Sequence, residues 1–557
     1  MFVQGHLNAT HSVMAAKEKL ARRWWADARC VWTMMPLIPA VLIASPVAAK
    51  TPVSAVQVEE ISIDRLQSMM TSGQTSSAAI TQAYLARIAA MDRRGPTLRS
   101  VIAVNPDANR QARALDAERR AGHVRGPLHG ITVLVKDNIE TSDPIATTAG
   151  SLALAGNVTH RDAPVIAYLR KAGAVILGKT NLSEWANIRS TRSMSGWSAI
   201  GGLVRNPYAL DRTACGSSSG SGAAVAASFA AAAVGTETDG SVVCPSAVNG
   251  LVGFKPSIGL VSRTHVVPIS HSQDTPGSMA RSVRDAALML SAMVGADQAD
   301  AKTMGSAPHD FAAGLATATL AGVRIAVVRP DGLSTALAAR YDAALAVLQS
   351  CGAILVDVAR PALTGLGDAE LTILKTELKA DLNAYLATTP GTVTTRTLDQ
   401  LIAFNRAKAA KEMPYFEQEL FEDAAKTQGL DDPAYRSARK TAQRLAGPEG
   451  IDAMLKAANA RLLVEPSYDA AWLSDPVHGD QYGGPSAAQL PAVAGYPHLT
   501  VPMGLNRGLP VGLSFIGTAG ADEIVLGAGY VYEQRAQART APLYLSQADA
   551  GVGIEGQ

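Results

Sequence analysis

Three short stretches of this 557-residue chain combine residue types that do chemistry. Gly173 to Thr180 (GAVILGKT) has the spacing of a phosphate-binding loop, in which backbone N–H groups and a lysine cradle a nucleotide's phosphates. Its variable positions, Ala174, Val175, Ile176 and Leu177, have the composition of a buried strand and not of a flexible loop. Nucleotide binding is therefore not expected. Gly216 to Gly220 (GSSSG) fits the nucleophile-elbow spacing with Ser218 at its centre. An elbow needs a buried strand before it and a later acid and histidine. The preceding NPYALDRTAC reads as a loop, and the candidate bases His478 and His498 sit in polar or Gly-rich surroundings that mark no role. An α/β-hydrolase-like esterase acting through Ser218 is the alternative this motif carries.

The third stretch runs from 214 to 262, ACGSSSGSGAAVAASFAAAAVGTETDGSVVCPSAVNGLVGFKPSIGLVS. A Ser/Gly loop leads into an Ala-rich segment (223–233) of helical composition, then into a second Gly/Ser turn, GTETDGS. Small residues let backbone segments approach each other and a ligand closely. Two such turns bracketing a helix can set Ser217 and Ser241 side by side. Lys136, Asp137 and Asn138 follow the apolar run ITVLV, at a strand end where α/β proteins build their sites. A lysine directly after such a strand is placed for partial burial.

Elements of the right type surround these motifs. Residues 62–90 are mostly helical in pattern, with Thr75 to Ser77 as a polar helix start. Residues 99–104, 131–135 and 174–177 read as short buried strands and 163–171 as a helix. The alternation repeats at 323–328, 339–350 and 353–358, which predicts an α/β fold. Residues 366–459 are charge-richer and strand-poor, a helical excursion over the core, and 495–515 and 520–536 read as strand and helix. No repeat or long polar linker interrupts 55–540. The reading is one large domain over 50–557 with its core at about 128–290, although length alone suggests three or four.

Composition narrows the class. Hydrophobic residues make up 47% and charged residues 18%, enough for a large core and against general disorder. A net charge of +2 argues against a nucleic-acid binder, which needs clustered excess Lys and Arg. Residues 1–49 stand apart: basic residues up to Arg29, an uncharged run from Val31, and a Val47-Ala48-Ala49 ending predict a secretory signal peptide cut after Ala49. A retained membrane anchor is the other reading of that run, and Pro36, Pro39 and Pro46 favour cleavage. Losing five basic and two acidic residues there turns +2 into −1. Of the four cysteines, Cys215, Cys244 and Cys351 remain, too few for a disulfide framework and odd in number, so at least one is unpaired within the chain. Cys215 and Cys244 read as small buried apolar residues. No group of His, Cys and acidic residues has metal-ligand spacing, so no metal or cofactor is expected.

The 214–262 stretch resembles the signature of the amidase signature family, and its GTETDGS…CPS…NGLVGFKP version is closest to bacterial peptide amidases. The likeness extends to LHGITVLVKDN (128–138), AGAVILGKTNLSEWA (172–186), RNPY (205–208), SQDTPGSMARSVRDAA (272–287), EMPYFEQE (412–419) and AGYPHLTVPMGLNRGLPVGLSFIG (494–517). It implies a mixed central β-sheet covered by helices and a Ser–cis-Ser–Lys triad. On this sequence Ser241 would be the nucleophile, Ser217 the bridging serine after a cis Gly216–Ser217 bond, and Lys136 the base. Backbone N–H groups of Thr238, Asp239, Gly240 and Ser241 would form the oxyanion hole. The logic is coherent: a serine hydroxyl needs a base to become nucleophilic, and a lysine serves only once burial lowers its pKa from ~10.4. Cys215 and Asp239 replace glycines of the usual pattern, and Val243 replaces an arginine. The resemblance thus implies an amidase acting on a small-molecule or peptide amide, and the signal read in residues 1–49 implies an exported (periplasmic or secreted) one. A carboxy-terminal peptide amide or a linear or aryl amide is the expected substrate, with no nucleic-acid partner and no membrane contact after signal removal. A non-catalytic amidase-fold binding protein remains a separate class, against which the joint presence of Lys136, Ser217 and Ser241 argues.

Overall fold

Short apolar runs bounded by glycine and proline form the spine of the molecule. A computed structural model describes residues 56–548, so the signal-peptide reading of 1–49 lies outside the described residues. The strands are β1 (Val101–Val104), β2 (Thr132–Lys136), β3 (Val175–Thr180), β4 (Trp197–Ser198), β5 (Gly202–Leu203), β6 (Ala232–Glu237), β7 (Val252–Lys255), β8 (Thr275–Ala280), β9 (Arg324–Val328), β10 (Ile354–Val358), β11 (Leu462–Pro466), β12 (His498–Asn506) and β13 (Leu509–Ile516). Except for the small β4–β5 ribbon they form one 11-stranded sheet in the order β1-β3-β2-β6-β8-β7-β12-β13-β11-β9-β10. Strands β3, β2 and β6 run parallel, as do β11, β9 and β10. The antiparallel β6–β8–β7–β12–β13–β11 neighbours make the sheet mixed.

Every residue of β2, β3, β6, β7 and β8 is buried. The parallel strands β2 and β3 begin as apolar runs, and small residues such as Ala232, Ala233 and Gly277 fill β6 and β8. The helices up to residue 350 are α1 (Ile63–Thr71), α2 (Ser77–Met91), α3 (Ala108–Arg120), α4 (Pro164–Lys171), α5 (Ser219–Ala226), α6 (Val243–Val248), α7 (Val283–Met293) and α8 (Thr335–Ser350). Ser76 caps α2 by accepting from Ala79 N–H, as the polar start at 75–77 predicts. The excursion is helical: α9 (Leu366–Ala387), α10 (Leu398–Ala407), α11 (Ala409–Glu412), α12 (Glu419–Ala425), α13 (Pro433–Ala446) and α14 (Asp452–Ala458). Its Leu378, Leu382, Leu386 and Phe421 pack with Leu154, Trp185, Val267 and Ile269 from the loops over the sheet's central strands. The described residues fall in one compact unit, and no helix among them is long and apolar enough to cross a membrane.

The structure corrects the reading of residues 223–233 as one helix. α5 ends at Ala226, a turn follows, and β6 begins at Ala232. Alanine's helical preference is a weak prior that tertiary context overrides. Here small side chains suit a strand held between β2 and β8 and covered on both faces. The GTETDGS turn accordingly starts only at Thr238, since Gly235, Thr236 and Glu237 finish the strand.

Candidate active site

The parallel strands β2 and β6 end side by side, and the site is built at those ends. Lys136 closes β2, and the Thr238–Ser241 loop leaves β6. Ser217 precedes α5, whose chain returns to the sheet as β6, so both serine turns meet at one edge. Ser218 N–H donates to Ser241 C=O at 3.1 Å, fastening the two turns together. The Gly216–Ser217 peptide is cis, as expected. Close packing explains Gly216: a Cβ there would stand 2.2 Å from Ser183 Oγ.

Lys136 Nζ lies 2.8 Å from Ser217 Oγ, 2.8 Å from Thr236 Oγ1 and 3.2 Å from Thr236 C=O. The lysine is wholly buried. Loss of water pushes its pKa down from 10.5 to about 7, against the charges of Asp274 and Glu237, which favour the ammonium. Asn138 Nδ2 donates to Thr236 Oγ1 at 2.9 Å.

A second layer fixes the loop after β6. Glu237 Oε2 accepts from Val242 N–H (2.7 Å) and Val243 N–H (2.9 Å), holding the start of α6 just beyond Ser241. Burial raises the Glu237 carboxyl, with Lys255 and these N–H groups opposing. Thr238 Oγ1 donates to Asp274 Oδ1 (2.5 Å), while Asp274 Oδ2 accepts from Ile269 and Ser270 N–H. Burial lifts Asp274 to about 6. Gly240 takes φ +75°, a region glycine enters at no steric cost, and a Cβ there would be 2.2 Å from Tyr468 Oη. Among the described residues, the N–H groups of Asp239 and Ser241 donate to no protein acceptor. Asp239 keeps contact with solvent in a recess crowded by protein. That crowding, and then the Glu370 and Glu237 carboxylates, raise its carboxyl well above the usual range.

The other two motifs take structural roles. GAVILGKT is strand β3, and Lys179 is buried with Nζ on Ile139 C=O and Thr147 Oγ1, both at 2.6 Å. Ser218 Oγ donates to Thr236 C=O (3.1 Å) and accepts from Thr236 N–H (3.2 Å), so it ties α5 to β6. His478 is exposed and pairs with Asp475. His498 is buried on Ser514 Oγ, and burial drops its pKa to about 3. Neither histidine is paired with Ser218.

Cys215 and Cys244 are joined as a disulfide, which corrects their reading as separate apolar residues. Cys351 is the free cysteine among the described residues. The bridge ties the residue before Gly216 to helix α6, and it packs with Val243, Val248 and Tyr468. Sequence reasoning missed this bridge, Thr236, Glu237, Asp274 and Tyr468. Thr236 and Glu237, inside GTETDGS, and Asp274, inside SQDTPGSMARSVRDAA, stood in stretches that carried the resemblance, whereas nothing marked Tyr468.

A family model described as Amidase matches residues 79–526. The chain belongs to the amidase family. It is thereby a hydrolase of the C–N bond of linear amides. The native peptide amidase of Stenotrophomonas maltophilia is 50% identical, with a TM-score of 0.83 over 87% of this chain and 99% of that one. An amidase family protein of Bacillus anthracis is 35% identical, with a TM-score of 0.79 over 87% and 92% of the two chains. One subunit of the glutamyl-tRNA(Gln) amidotransferase of Thermobifida fusca is 35% identical over 492 residues, 85% of this chain and 95% of that protein.

Proposed function

We propose that this amidase hydrolyses carboxy-terminal peptide amides, or similar linear or aryl amides, through an acyl-enzyme on Ser241. The observation that carries the reading is the wholly buried Lys136, with Nζ 2.8 Å from Ser217 Oγ and a pKa brought to about 7. Neutral Lys136 takes the proton of Ser217, which takes that of Ser241. The Ser241 oxygen then attacks the amide carbon. Charge building on the carbonyl oxygen is met by N–H groups of the Thr238–Ser241 loop, with those of Asp239 and Ser241 the ones that donate to no protein acceptor among the described residues; losing one such donor typically slows an enzyme by ~10²–10³. Ser217 passes its proton to the amide nitrogen and regains one from the Lys136 ammonium, the C–N bond breaks, and ammonia or an amine leaves. Water repeats the sequence on the acyl-enzyme and releases the acid. This chain's own residues supply every proton transfer.

The half-identical peptide amidase of Stenotrophomonas maltophilia favours a peptide amide as substrate. We also propose export to the periplasm or medium. The basic-then-apolar pattern of residues 1–49 supports this, as does the Cys215–Cys244 bridge, because disulfides persist in oxidising compartments. Export also separates the chain from a cytoplasmic transamidation complex. A panel of peptide, aryl and aliphatic amides scored for ammonia or amine release tests the reading. Release from peptide amides, abolished in Ser241→Ala, is expected; release undiminished in that variant, or from no amide in the panel, overturns it.

A further inference from the structure

A neutral lysine is a base only if its lone pair faces the proton it is to take, and the hydrogen bonds around Lys136 decide where that pair points. The amine has two N–H bonds and one lone pair, and three oxygens surround it. Thr236 C=O is an acceptor only and takes one N–H. Two partners remain, both hydroxyls at 2.8 Å: Thr236 Oγ1 and Ser217 Oγ. If Thr236 accepts the second N–H, the lone pair is left for the Ser217 hydroxyl proton and the lysine is a base. If Thr236 donates its hydroxyl proton to the lysine, an N–H points at Ser217 instead and the base is silenced. One hydroxyl rotor thus switches the site.

Its orientation is set by Asn138. With Nδ2 toward Thr236, the network has two faults at once. The Thr236 hydroxyl proton has no acceptor other than the lysine among the described residues, and the buried Asn138 Oδ1 has no partner. Buried polar groups left unpaired cost ~1–3 kcal/mol each, and an amide's oxygen and nitrogen can trade places at almost the same geometry. Turning the amide over gives the hydroxyl proton an acceptor, with Thr236 Oγ1 donating to Asn138 Oδ1 across the same 2.9 Å, and puts Nδ2 where the oxygen had no protein partner. The Thr236 oxygen is then free to accept only, from Lys136. Asn138 also lines a cavity of about 10 Å³ with Thr236, Thr238, Asp274 and the apolar Val266 and Ile269, room for about one water molecule that could accept from the turned amide.

We propose that Asn138 and Thr236 are positioning residues, a relay Asn138–Thr236–Lys136 that aims the amine lone pair at Ser217. The proposal rests on Lys136 as the base, as set out above. It predicts that the relay acts on the chemical step and leaves binding unchanged. The test is steady-state kinetics on a peptide amide, with the rate of covalent labelling by a fluorophosphonate as a second readout of Ser241 reactivity. Thr236→Val and Asn138→Ala should each lower kcat about tenfold, the effect of one lost orienting bond, with KM unchanged. The double variant should be no slower than Thr236→Val, because Asn138 acts through that hydroxyl. Thr236→Ser, which keeps the hydroxyl, should recover most of the rate. Asn138→Ala within twofold of wild type, losses that multiply in the double variant, or Thr236→Ser as slow as Thr236→Val would each overturn the relay. If Asn138→Ala does not fold, the Val and Ser variants of Thr236 still decide it. Lys136→Ala separates the two levels: full activity there removes the lysine base itself, whereas an inactive Lys136→Ala beside an unimpaired Asn138→Ala removes only the relay.

Discussion

A lysine that must be neutral to work makes the rate a readout of its burial, and pH is the perturbation that exposes this. At its ordinary value of 10.5 the side chain would be neutral in roughly one molecule in 3,000 at pH 7; at about 7 it is neutral in about half. Burial therefore enlarges the population of active base by ~10³, or about 4 kcal/mol in the barrier at that pH. The charges of Asp274 and Glu237 pull the other way, so desolvation is the larger effect. The sign follows directly: kcat/KM rises with pH, tenfold per unit well below the midpoint, and levels above about pH 8. Between pH 5 and pH 8 the gain is about 100-fold. The same shift has a stability counterpart. The unfolded chain binds the extra proton between about pH 7 and 10.5, so stability rises with pH through that window. Two assays read the rate: amine release from a peptide amide, and fluorophosphonate labelling of Ser241, which needs no substrate. A flat profile from pH 5 to pH 9, or a midpoint near 10, would refute the buried-base reasoning.

Other perturbations have equally definite outcomes. Asp274→Asn removes a carboxylate that favours the ammonium, so the acid limb of the pH profile moves to lower pH; movement upward contradicts the assignment. Ser218→Ala loses two hydrogen bonds to Thr236 but keeps the nucleophile, so it unfolds at lower denaturant yet still labels with fluorophosphonate. Loss of labelling in a folded Ser218→Ala would revive the elbow. Removing the Cys215–Cys244 bridge opens a loop with a sequence separation of 29, for which chain entropy gives about 3.5 kcal/mol. Cys215→Ser in a chemical denaturation series should lose most of that, and an unchanged midpoint refutes it.

Much of this was legible in the sequence because the local signals agreed with the fold. The runs at 131–135 and 323–328 are apolar and short, and both are strands of the main sheet. GAVILGKT was readable as strand against its motif because four consecutive apolar residues cannot line a phosphate. The Ala-rich segment failed for the opposite reason. Alanine carries no face preference, and only the neighbours β2 and β8 decide that Ala232 and Ala233 extend as strand. The three residues proposed to act were nameable from the resemblance, Ser217 and Ser241 in the 214–262 signature and Lys136 in 128–138. The groups that tune them were not: Asp274 reaches Thr238 from 36 residues away, and Tyr468 meets Gly240 from a loop whose sequence marks nothing. Cysteine pairing failed likewise, since 29 residues of separation carry no information about a Cα–Cα distance of 6.0 Å.

The most direct test of the account is to find where the acyl group goes. A slowly hydrolysed activated ester or a fluorophosphonate, quenched with acid, digested and read by peptide mass spectrometry, reports the modified residue. The account predicts one adduct on Ser241, absent in Ser241→Ala and formed far more slowly in Lys136→Ala. An adduct on Ser218 or Ser217 in the wild-type protein, or Ser241 labelling at an unchanged rate without Lys136, would contradict it.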